Sequence, residues 1–138
     1  MGFSAKIRHT QKPVSLTVFD GAAPQTVTGN TVLMNDVMPG TMSANVYANA
    51  KTNLLTITAK WQVSDDNSTW VDVKLPNNAA NVVVVTGTGA SVPGTVCLVA
   101  PDAVYGKRYS RVVCVSGVGV GDATDDAASI SYNWRLVD

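Results

Sequence analysis

Apolar and polar residues alternate at a strict period of two through residues 55–63 (LTITAKWQV). Leu55, Ile57, Ala59, Trp61 and Val63 fall on one side of the extended chain, and Thr56, Thr58, Lys60 and Gln62 on the other. This pattern describes a half-buried antiparallel strand with Trp61 deep in the apolar row. Residues 64–68 (SDDNS) then reverse the chain, because short Asx and hydroxyl side chains bond their own backbone and tolerate unusual dihedrals. A second strand over 69–73 completes a hairpin with a Trp, Trp61 or Trp70, on each arm.

The same reading extends along the chain. Residues 14–19 (VSLTVF) alternate and form a first firm strand, and 26–35 hold further extended pieces. Residues 44–50 (ANVYANA) read as a short helix or a strand. The turn at 51–53 and the long strand behind it favour a strand, the first arm of another hairpin. The VVVV run within 81–86 lacks alternation, so it is buried on both faces or packed at an interface. A short strand spans 96–99. Residues 108–116 carry Tyr109, Arg111, Val113 and Val115 on one face, and 129–137 carry Ile130, Tyr132, Trp134 and Leu136 on one face.

Turn signals at Pro39-Gly40, Pro76-Asn77-Asn78, 87–94, Pro101-Asp102 and 117–127 separate these runs. The spacing predicts an all-β fold, a single-domain antiparallel β-sandwich, jelly-roll-like, of about eight or nine strands. Residues 1–12 carry Lys6, Arg8, His9 and Lys12 with little to bury, so they read as a short N-terminal arm, or a lightly attached edge strand, ahead of a sandwich domain at 13–138. Trp61 and Trp134 lie on apolar strand faces and are the candidate core anchors joining two sheets. Burying one Trp removes about 150–250 Å² from water, an upper bound of roughly 4–6 kcal/mol.

Composition agrees with the pattern. There is no Glu, every acidic residue is Asp, and Val, Thr, Ala, Asn and Gly dominate, a bias toward strands and turns. A chain of 138 residues can bury a core without metal or disulfide staples. Net charge is zero and 14% of residues are charged, which argues against a nucleic-acid partner that needs a basic stripe. No apolar run approaches the roughly 18 residues of a membrane span, so no membrane partner is expected. The N-terminus has basic residues without a following apolar core, unlike a secretory signal, and Lys6 stands where myristoylation prefers a hydroxyl.

The search for reactive groups yields little. His9 is the only histidine and lies in the basic arm, away from any recognisable nucleophile. Asp65-Asp66, with Asp72 nearby, lacks calcium-loop spacing and is expected to build a turn. Asp122, Asp125 and Asp126 read as a solvated loop. The glycines at 117, 119 and 121 are not a dinucleotide fingerprint, since the third spacing is wrong and no helix follows. Asn67-Ser68-Thr69 matches a glycosylation sequon without a secretory signal. Cys97 and Cys114 sit in Val-rich runs and read as small buried hydrophobes. If 96–99 paired with 108–115, a cross-strand disulfide between them would be conceivable. No catalytic residue, metal or cofactor is expected.

Residues 57–73 (ITAKWQVSDDNSTWVDV), 106–119 (GKRYSRVVCVSGVG) and the closing ASISYNWRLVD resemble small β-sandwich structural proteins of tailed bacteriophages, the capsid decoration, cement or head proteins. The resemblance covers the chain from residue 57 on. It implies a non-enzymatic protein on the outer capsid surface of the virion, often oligomeric as a dimer or trimer. Its partners would be the major capsid protein and its own copies. The S-D-D-x-S-x-W motif with a later R-Y-x-R is also similar to discoidin-type jelly rolls, which bind sugars or lipids through end loops. That resemblance implies a carbohydrate-binding host-adhesion module on a tail or fibre. The candidate loops here, 22–25, 76–80 and 87–93, are mostly Ala, Asn, Gly and Thr.

Overall fold

A computed structural model describes residues 7–8, 14–18, 25–51, 54–75, 77–90, 92–117 and 126–136. These form β1 (Ile7–Arg8), β2 (Val14–Val18), β3 (Gln25–Thr28), β4 (Val32–Leu33), β5 (Ser43–Ala50), β6 (Thr56–Ser64), β7 (Val71–Val73), β8 (Val82–Thr86), β9 (Val92–Val99), β10 (Tyr109–Ser116) and β11 (Asp126–Arg135). Single 3-10 turns at Met34–Asp36 and Asp102–Gly106 complete the described elements. Eight of the strands have four or more residues.

Two antiparallel sheets result. In the first, β1 and β2 both pair with β11, which pairs with β5, which pairs with β9. In the second, β3 and β4 pair with β10, which pairs with β6, and β7 and β8 share the far side of β6. From β2 to β11 the chain crosses between sheets at six of its nine connections and stays within the second sheet from β3 to β4 and through β6, β7 and β8. This is a jelly-roll sandwich.

The period-two faces settle as their chemistry requires. On β6, Ile57, Ala59, Trp61 and Val63 point inward and are buried. On β5 the inward row is Ala44, Val46, Ala48 and Ala50, and on β11 it is Ala128, Ile130, Tyr132 and Trp134. Small alanines on β5 leave room for the large rings on its neighbours. Trp61 of the second sheet packs on Tyr132 of the first, with centroids 6.1 Å apart and rings inclined by 41°. Trp134 is buried one position further along the same row.

Tyr132 also repairs a gap in the second sheet. The β10 ladder to β3 ends at Val113↔Thr28 and resumes to β4 at Ser110↔Val32, one residue out of step. Within that gap Gly29 N–H donates to Val112 O at 2.8 Å. The Val112 N–H crosses the core instead and donates to Tyr132 Oη, also at 2.8 Å. A side chain at Gly29 would collide with that hydroxyl and stand 2.7 Å from Val112 O. Burial pushes the phenol well above its ordinary range, so it stays protonated.

Three sequence expectations are corrected. The strand at 44–50 is not a hairpin arm to 55–63, because β5 and β6 belong to opposite sheets. The strands at 96–99 and 108–115 do not pair either; β9 pairs with β5 and β10 with β6. Cys97 is accordingly exposed, Cys114 is buried, and both are free. The VVVV run is not uniformly buried. A register shift between Ile57 and Thr58 leaves Val84 as an extra residue, so Val84 and Val85 turn inward and Val83 is exposed.

Candidate interaction surfaces

The candidate arm is described only at Ile7–Arg8, whose backbone pairs with Arg135 and Trp134 at the end of β11. Lys6, His9 and Lys12 lie outside the described residues, as do residues 121–125 with Asp122 and Asp125. Of the end loops, 22–24, Pro76 and Ser91 also lie outside them.

The outer face of the second sheet carries a connected polar row. Antiparallel register sets Gln62 opposite both Arg111 and Asp72. Arg111 Nε donates to Gln62 Oε1 at 2.9 Å, Gln62 Nε2 donates to Asp72 Oδ1 at 2.9 Å, and Lys60 Nζ donates to Asp72 Oδ2 at 3.0 Å. The Gln62 amide and then the Lys60 ammonium hold the Asp72 carboxyl below its usual value. The Arg111 guanidinium lies 3.9 Å from the centre of the Trp70 ring, so one face of that indole is covered. Partial burial lowers the guanidinium's pKa. Trp70 precedes β7 rather than sitting on it, and this stack is the role that the period-two reading missed.

The 64–69 turn is equally self-contained. One oxygen of Asp66 accepts from Ser64 Oγ at 2.9 Å, Ser68 N–H at 2.9 Å and Thr69 N–H at 2.8 Å. The two backbone bonds and then the Ser64 hydroxyl draw its pKa from 3.8 down to about 2. Asp65 instead pairs with Lys107 at 3.0 Å. The neighbouring hollow of about 180 Å³ is lined by Val63, Thr69, Val71 and these groups. The two adjacent carboxylates thus have separate partners and do not act as a pair. Among the described residues, no cluster of three or more His, Cys, Asp or Glu side chains is placed to hold a metal ion.

A different surface lies where β8 and β9, one from each sheet, meet. Residues 75–101 contain no Asp, Glu, Lys or Arg, although the chain as a whole carries ten of each sign. This run builds both strands. They approach closely: a side chain at Gly94 would stand 2.5 Å from Val84 O and 3.1 Å from Val85 Cβ. An open groove of about 480 Å³ is lined by Leu75, Asn77 and Val82 together with Val96, Cys97, Leu98 and Val99 of β9. Val83 is 53% exposed and Val99 62% exposed. The sequence signal for this surface was the absence of charge over a long run rather than a motif.

No family model matches the chain, and no curated protein matches it. Among solved structures it is similar to a chain of infectious bursal disease virus, Gx strain, at 14% identity and TM-score 0.49. That match covers 96% of this chain and 31% of the viral one, so this chain spans less than a third of the viral chain. A chain of Bacillus endospore appendages, which form disulfide-linked pili, matches at 16% identity and TM-score 0.42, covering 98% of this chain and 93% of that one. TmCBM61, in complex with beta-1,4-galactotriose, matches at 16% identity and TM-score 0.44, covering 95% and 81%. All three scores lie below 0.5 and carry no functional argument.

Proposed function

We infer that this chain is a non-enzymatic structural protein of a tailed-phage virion, a decoration or cement protein. It binds the outer surface of the major capsid protein lattice and stabilises the head. The observation that carries the reading is the uncharged edge built by residues 75–101, with Val83, Cys97 and Val99 exposed among neutral Asn and Thr side chains. Such an uncharged edge with exposed valines gains by burial against protein and offers no cation to a nucleic acid. Several surface charges support the same view, since Lys60, Asp72 and Arg111 are joined through Gln62 and Asp65 is paired with Lys107. The family resemblance from residue 57 on supplies the virion setting.

The alternative, a carbohydrate-binding module on a tail or fibre, is favoured by Trp70 beside Gln62, Arg111 and Asp72, groups that bind hydroxyls. It is disfavoured because Arg111 covers one face of the indole a sugar ring would stack on. The test is co-sedimentation with assembled, undecorated phage shells. Binding to saturation, with a rise in the heat resistance of the shell, is the expected outcome. No binding to shells together with robust, salt-insensitive binding on a glycan array would transfer the function to the alternative. A chain lacking residues 1–12 that coats shells at full affinity would remove the arm from the contact.

A further inference from the structure

We propose that β9 is a strand-addition site for a second copy of this chain, the two β9 strands pairing antiparallel across a two-fold axis at Cys97. The proposal rests on the reading of the chain as an assembling structural protein and names the partner of its uncharged edge. Among the described residues β9 pairs with β5 alone, so its other side is a sheet edge. Ala100 N–H donates to Met42 O at 3.0 Å. In an antiparallel ladder, alternate residues exchange both backbone bonds with the same neighbour. The even-numbered residues of β9 therefore address β5, and Thr95, Cys97 and Val99 direct N–H and C=O to the open edge. Pro93 shares their phase and stands where a missing N–H costs the sheet nothing.

Edges of this kind are usually guarded by Lys, by Pro, by inward charge, by a bulge or by extreme shortness, and the one proline of β9, Pro93, stands at its second residue and leaves Thr95, Cys97 and Val99 open. Here β8 has its register shift, whereas β9 is eight residues long and carries no charge. Its prolines choose the register. Pro93 and Pro101 flank Cys97 four residues away on each side. With Cys97 opposite its own copy, Thr95 faces Val99 of the second chain, and every N–H and C=O of Thr95, Cys97 and Val99 finds a partner. A slip of two residues either way sets an outward carbonyl against a proline that has no N–H to give.

The occupant is a second copy because a two-fold contact brings each group against its own kind or its near neighbour. A charged edge would repel itself there, and this one is neutral throughout. Along the groove, Val96 of one chain would meet Leu98 of the other and extend both apolar rows.

The experiment uses the full chain. Opposed strand residues hold their Cβ atoms roughly 4.5–5.5 Å apart, so a short bis-maleimide should join Cys97 to Cys97 of the second copy. Cys114 is buried and does not compete. Expected are a dimer by sedimentation velocity at micromolar concentration and a covalent dimer mapped to Cys97–Cys97. Thr95→Pro removes one edge N–H, and T95K/V99K sets like charges opposite each other. Both substitute exposed positions, and each should weaken dimerisation at least roughly tenfold while the thermal transition of the monomer persists. A monomer with no cross-link overturns the proposal, as does dimerisation unaffected in either folded variant. Cross-linking of Cys97 only to a shell protein, or loss of the dimer on deleting residues 1–12, also overturns it. The two readings separate cleanly. A dimer that ignores shells keeps this inference and rejects the decoration reading, and a strict monomer that coats shells does the reverse.

Discussion

Replacing Tyr132 with Phe tests whether the two sheets are joined by one hydrogen bond as well as by packing. The ring, its contact with Trp61 and nearly all its volume are kept, and only the hydroxyl is lost. Val112 N–H then has no acceptor, because the β10 ladder skips this position and both residues are buried. Leaving a buried N–H unsatisfied costs about 1–3 kcal/mol. With an unfolding entropy of about 2.1 cal/mol/K per residue, a chain of 138 residues has roughly 0.29 kcal/mol/K at its midpoint. The expected fall in Tm is therefore about 3–10 °C, read by calorimetry or circular dichroism at pH 7. Tyr47→Phe, at an exposed position, is the control and should leave Tm unchanged. A fall of less than about 1 °C for Y132F, with the control flat, would refute the bridge.

Other outcomes follow from the same geometry. Gly29→Ala should destabilise by about 1–3 kcal/mol through overpacking, and the double variant with Tyr132→Phe should cost less than the sum of the two, measured by urea unfolding. Burial pushes the Cys114 thiol from 9.0 up to about 12, so at pH 8 Ellman's reagent should find one fast thiol, Cys97, and a second only after unfolding. Raised folded-state values for Cys114 and Tyr132 mean that their contribution is complete below pH 9 and is lost as pH rises above the unfolded values; Tm should be level to about pH 9 and then fall. Asp66 is shifted the other way, so its contribution is present above 3.8 and lost as pH falls toward 2; carboxyl carbon shifts should show it titrating near pH 2, and a midpoint near 4 would contradict the turn.

Local pattern carried far in this chain. Alternation over residues 55–63 placed Ile57, Ala59, Trp61 and Val63 on one face, and that face is the buried one, because a period of two leaves an apolar row no other route out of water. The turn at 64–69 was equally legible, since Asx and hydroxyl side chains act on their own neighbours. On β10 the pattern was silent about which face goes in. The row with Tyr109 and Arg111 lies outside, and Ser110, Val112, Cys114 and Ser116 are buried, because small residues are what fits beside Trp61.

Strand partners were out of reach of local pattern. Sequence neighbours such as β5 and β6, or β9 and β10, look like hairpins, yet the jelly roll sends each member to a different sheet. Only that crossing brings Tyr132 to a gap in the opposite sheet, separates Cys97 from Cys114, and stacks Arg111 on Trp70. The sequence determined the strands, the faces of those that alternate apolar with polar residues, and the uncharged run at 75–101. Tertiary structure alone decided that this run would place an edge strand in each sheet, because an edge is defined by the neighbour a strand lacks, and no single stretch of chain contains that information.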